Sequence, residues 1–67
     1  MNLENKIDKD KIQLYIIERK WTKKIFCQKC GFSYMTLKRA LDNEYYNMRT
    51  LYKIARMMNV KIKELFE

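Results

Sequence analysis

The chain has 67 residues, 48% hydrophobic and 34% charged, with 15 Lys and Arg against 8 Asp and Glu, a formal net charge of +7 and no histidine. That length accommodates one small domain, so no second, catalytic domain is expected, and the apolar content suffices for a packed core rather than a disordered chain. The surplus of positive charge points to an anionic partner, whether nucleic acid, anionic lipid or an acidic protein, and the sum alone does not choose among them.

No apolar run is long enough to span a membrane, and the polar start MNLENKIDKDK is unlike a signal peptide, so a cytoplasmic protein is expected. Residues 1–7 lack periodicity and carry both signs of charge, which reads as a loose N-terminal arm ahead of a folded domain at 8–67. A first helix starts at Asp8 or Asp10, whose carboxylates suit the positive end of a helix dipole. Ile12, Tyr15, Ile16 and Trp21 form its buried face, with Ile17 at the flank, and Glu18, Arg19 and Lys20 close it in solvent.

Thr22 then caps a second helix with an apolar stripe of Ile25, Phe26 and Cys30. Gly31, the only glycine, makes a tight turn. Ser33 caps a third helix that buries Leu37, Ala40 and Leu41, with Phe32 just before it. The outside of this third helix carries Tyr34, Met35, Lys38 and Arg39, with no carboxylate until Asp42. Such a face suits an anion that also has shape, and DNA fits. The basic charge is concentrated around it, since Asp42 and Glu44 are the only carboxylates between Arg19 and Lys63.

Cys27 and Cys30 form a lone Cys-x-x-C. Tetrahedral zinc needs four ligands, and two thiols without a histidine or a second cysteine pair do not supply them. A redox pair belongs at the start of a helix that follows a strand, whereas these cysteines close a helix. Both are expected to be small buried hydrophobes, with no metal and no cofactor.

Asn43 can adopt the left-handed conformation that ends a helix, and a loop with Tyr45 and Tyr46 follows. These rings can pack over the core edge, offer hydroxyls to phosphate, or be buried in a dimer, and the sequence leaves all three open. Asn47 caps a fourth helix, MRTLYKIARMMN, with Leu51, Ile54, Ala55 and Met58 at core spacing. Val60 and Ile62 lead into a fifth, KIKELFE, which ends on Leu65 and Phe66. The expectation is an all-α, compact five-helix domain. No Gly-rich phosphate loop or acidic pair in a pocket suggests catalysis, so no enzyme is expected. With the apolar faces claimed by the core, a membrane-surface helix is disfavoured.

The run Phe26-Cys27-Gln28-Lys29-Cys30-Gly31-Phe32-Ser33, with Leu37, then Leu51, Ile54, Ala55, Met58, Asn59, Val60 and Leu65, resembles the Cro/C1-type helix-turn-helix family, the XRE-like regulators. The resemblance covers about residues 12–66 and implies a lambda-repressor-like domain whose third helix, about 33–42, enters the major groove. It implies base contacts from Tyr34, Met35, Lys38 and Arg39, and backbone contacts from Thr22, Lys23, Ser33, Thr36, Asn47 and Arg49. Lys23 stands where the family often has Gln, replacing a forked contact by a point charge. Ile16 and Leu41 stand where the family often joins Arg to Glu, and an apolar pair avoids desolvating both charges. The implied function is transcription regulation by a repressor or Cro-like protein on double-stranded DNA. A homodimer is expected, with the fifth helix and the Tyr45–Tyr46 loop as its interface. Small stand-alone proteins of this kind often serve phages, plasmids or integrative elements. A protein-interaction module, such as an antitoxin or a recruiting subunit with an acidic partner, uses the same fold.

Overall fold

A computed structural model of the protein describes residues 6–67. Four α-helices follow one another, α1 (Lys9–Glu18), α2 (Lys23–Cys30), α3 (Tyr34–Leu41) and α4 (Met48–Met58), and a 3-10 helix (Ile62–Leu65) closes the chain. Among the described residues there is no strand, and the class is all-α as expected.

Local chemistry sets every α-helix start. Asp8 Oδ1 accepts from the Lys11 N–H at 3.1 Å, Thr22 Oγ1 from Ile25 at 3.1 Å, Ser33 Oγ from Thr36 at 3.2 Å and Asn47 Oδ1 from Thr50 at 2.8 Å. Left-handed residues occupy the connections: Lys20, Gly31, Asn43 and Asn59 have φ of 60°, 92°, 59° and 59°. At Gly31 a Cβ would meet only Lys53 Nζ, at 3.9 Å, so backbone conformation rather than space is what favours glycine in this turn.

The four helices share one core. Ile12 and Ile16 enter it from α1, Phe26 and Cys27 from α2, Leu37 and Leu41 from α3, and Leu51, Ile54 and Ala55 from α4. Phe26 is fully buried and meets the rings of Tyr15 and Trp21 at centroid distances of 6.2 and 6.5 Å. The Tyr15 hydroxyl donates to the Met57 carbonyl at 2.8 Å, which ties α1 to the end of α4. Ile16 and Leu41, the apolar pair, are both buried in this core.

Three expectations are corrected. The buried stripe of α2 is Phe26 with Cys27, while Ile25 is 38% exposed; in a helix of eight residues the apolar spacing alone leaves the phase of the stripe ambiguous. The fifth helix is a single 3-10 turn, because Phe66 is extended and forms an antiparallel bridge with Ile7. Ile7 therefore does not belong to a loose arm: it is 1% exposed, and its N–H donates to Asn43 Oδ1 at 2.8 Å. Asp8 N–H to Leu65 O at 2.7 Å and Glu67 N–H to Lys6 O at 2.8 Å complete this pairing of the two ends. The rest of the arm, residues 1–5, lies outside the described residues. Of the two loop tyrosines, Tyr46 is half-buried with its ring 6.1 Å from that of Phe66, whereas Tyr45 is 61% exposed.

Candidate nucleic-acid interface

Helix α3 divides into two faces within eight residues. Leu37, Ala40 and Leu41 are buried, which fixes its rotation and turns Tyr34, Met35, Lys38 and Arg39 outward. Tyr34 and Met35 are about half exposed, so large apolar surface is held in solvent next to two cations. Lys38 is engaged on one side: its Nζ donates to Asp42 Oδ2 at 3.2 Å, a bond that holds the ammonium above its usual pKa, and Lys9 approaches the other carboxylate oxygen at 4.0 Å. Arg39 is exposed beside it.

The starts of α2, α3 and α4 have a common character. Each has a neutral cap, Thr22, Ser33 or Asn47, and none has an acidic residue in its first turn. No carboxylate of its own first turn compensates the positive end of any of these dipoles, and the first N–H groups of a helix have no partner inside it, which together favour an anion. Capping also leaves donors available. The caps use an acceptor lone pair of Thr22, Ser33 and Asn47, so the Thr22 hydroxyl hydrogen and the Asn47 amide hydrogens can still be given to a phosphate oxygen. Ser33 Oγ and Thr36 Oγ1 lie 3.0 Å apart; one donates to the other, and the second hydroxyl keeps its hydrogen for an external acceptor.

The fold brings part of the expected set together. Lys23, Tyr34 and Lys38 line one cleft of about 90 Å³ with Lys9 and Asp42, so the lysine at the start of α2 adjoins the outer face of α3. Arg49 belongs elsewhere, in a groove between α2 and α4. Residues 11–67 match the model of the Cro/C1-type HTH DNA-binding domain.

The chain belongs to the Cro/C1-type helix-turn-helix family. No curated protein and no solved structure matches it. As a Cro/C1-type domain it binds DNA, with α2 and α3 as the paired helices and Gly31 in the turn between them. No helix among the described residues is long and apolar enough to cross a membrane.

The cysteines of this Cro/C1-type domain lie behind the turn. Cys27 is buried in the core and Cys30 is half-buried, and both are free thiols. Burial raises the pKa of each, that of Cys30 to about 12 with a smaller contribution from Cys27, so both are protonated at neutral pH. A nucleophile needs the thiolate, and this environment opposes it.

Three cations went unassigned in the sequence. Lys29, Lys53 and Arg56 meet Arg49 across the α2–α4 groove. The spacing of Arg49, Lys53 and Arg56 is visible in the sequence as one side of a helix, but the approach of Lys29 depends on how α2 packs against α4.

Proposed function

We propose that the protein is a sequence-specific regulator of transcription, repressor or Cro-like, that inserts α3 into the major groove of double-stranded DNA. The observation that carries this reading is the union of two features: three helix starts with no carboxylate, and an α3 face of Tyr34, Met35, Lys38 and Arg39 held outward by a buried opposite face. Thr22, Lys23, Ser33, Thr36, Asn47 and Arg49 fix register on the phosphates, and the outer residues of α3 specify sequence. Arg39 and Lys38 suit the two acceptors of guanine, while Met35 and the Tyr34 ring suit a thymine methyl. Lys38 exchanges Asp42 for a base edge on binding.

One such domain reads few base pairs, so two copies on half-sites roughly 34 Å apart are the expected regulatory unit. Tyr45 and Met48, both more than half exposed, mark the side available for that pairing, because Tyr46 is already packed on Phe66. The folded DNA-binding unit includes Ile7, and the chain acts by binding rather than by catalysis, within the cytoplasm.

Selection from a pool of random duplexes tests the reading. Recovery of a defined half-site, whose preference relaxes at one position in Arg39→Ala, is the expected result. Recovery of unenriched DNA would refute sequence-specific regulation.

A further inference from the structure

Arg49, Lys53 and Arg56 lie at i, i+4 and i+7 on α4, so they share one side of the helix. Together with Lys29 they border an open groove of about 740 Å³ between α2 and α4, and among the described residues no carboxylate lines it. Like charges at this spacing weaken a helix, and among the described residues no ion pair compensates them. Lys53 Nζ donates to the Gly31 carbonyl at 3.2 Å and Arg56 Nη1 to the Tyr52 hydroxyl at 3.4 Å, both neutral acceptors. The remaining lining is apolar or amphipathic: the half-buried Cys30 and Met57 and the ring of Tyr52.

We infer that this groove is a docking site for an acidic amphipathic helix of a second protein. A helix laid between α2 and α4 would place apolar side chains on Cys30, Met57 and the Tyr52 ring, and its flanking carboxylates on the four cations. A DNA backbone would satisfy the cations and leave the apolar surface unfilled. The groove also runs along the bodies of two helices, whereas the surface assigned to phosphate is built from helix starts and hydroxyls. Only Arg49 belongs to both. The inference stands independently of sequence-specific DNA reading, because a partner can be held here whatever α3 contacts.

The test uses a fluorescein-labelled model helix with leucine at every third or fourth position and glutamate elsewhere, and a matched peptide with lysine in place of glutamate. Anisotropy is measured with and without saturating duplex DNA. The glutamate peptide should bind in both conditions and the lysine peptide in neither. Lys53→Gln with Arg56→Gln should weaken peptide binding by about tenfold or more, while DNA affinity and its salt dependence stay unchanged. Lys61→Gln with Lys63→Gln, which removes the same charge away from the groove, should leave peptide binding intact. Far-UV circular dichroism confirms folding, and if the first pair unfolds, Arg56→Gln alone should still weaken the peptide severalfold. Absence of glutamate-peptide binding, equal losses in the two double variants, or a flattened salt dependence on DNA in the groove variant would each overturn the inference. The last of these outcomes would assign the groove to phosphates.

Discussion

Helix α1 and helix α3 begin with different chemistry, although both begin with a good cap. Asp8 caps α1 and Asp10 lies in its first turn, so two carboxylates compensate the dipole. Ser33 caps α3 and no acidic residue follows, and α2 and α4 repeat that pattern with Thr22 and Asn47. Asp, Asn and Ser are about equal as helix caps, so stability does not explain why one start is anionic and three are neutral. The difference is explained by what each start faces. The start of α1 is occupied by the chain itself, where Asp8 N–H donates to Leu65 O and Lys11 Nζ to Glu64 O at 2.7 Å. The other three, in the function proposed above, are left for an external anion.

The strongest way to break this contrast is to give α3 the start of α1. Ser33→Asp preserves the cap and should leave the melting temperature nearly unchanged. It places a carboxylate where a phosphate is expected, and repulsion at contact distance in a partly solvated site should weaken DNA binding by roughly 2 to 4 kcal/mol. Thermal unfolding and duplex titration on the same sample separate the two effects. Unchanged affinity would mean that the start of α3 does not face the backbone.

A smaller effect is expected nearly two turns further along. Arg39→Ala should cost about 1 to 3 kcal/mol on the selected operator, relax preference at one base position and leave random DNA nearly unaffected. The residue is exposed and is not a member of the core, so its removal should not change melting. A loss of equal size on random DNA would make Arg39 a backbone contact and would move the reading edge of α3 to Tyr34, Met35 and Lys38.

What the sequence discloses about this contrast follows from the range of the interactions involved. Asp8, Thr22, Ser33 and Asn47 are legible as helix starts because a cap reaches only three residues ahead. The outer face of α3 is legible because Leu37, Ala40 and Leu41 fix its phase. Ile7 is illegible, since its burial depends on a bridge to Phe66 and on Asn43, 36 positions away. The same bridge hides the end of the fold: KIKELFE has helical spacing, but pairing holds Phe66 extended and limits the helix to one turn. For the site, residue types and spacing name the candidate contacts of α3 with DNA, but that Lys23 shares a cleft with Tyr34 and Lys38, while Arg49 shares a groove with Lys29, follows only from the packing of α2.

On the other side of the contrast, Asp8→Ala removes a cap and a favourable charge from α1. It should lower folding stability by about 1 kcal/mol, the usual worth of an N-cap, and leave DNA affinity unaltered once the protein is folded. Chemical denaturation gives the first quantity and titration well below the melting temperature gives the second. A rise in affinity, from relieved repulsion of phosphate, would place the start of α1 at the DNA surface, a position that its pairing with the C-terminal turn does not favour.

The smallest expected effect sharpens the contrast at α2. Lys23 is the first residue after the Thr22 cap, and it lines the cleft that also holds Tyr34 and Lys38. Its ammonium adds a mobile point charge to a helix start that is already positive, so it reinforces phosphate binding without a fixed direction. Lys23→Ala should therefore weaken operator and random duplex alike, by an amount that shrinks as salt rises. The diagnostic is the slope of log affinity against log salt, because each phosphate contact releases condensed counterions and contributes close to 0.9 to that slope. Loss of one contact should flatten it by about that amount on both duplexes. A slope that stays the same while preference among operators changes would show Lys23 reaching a base edge, and the division between helix starts that position and an α3 face that specifies would have to be redrawn.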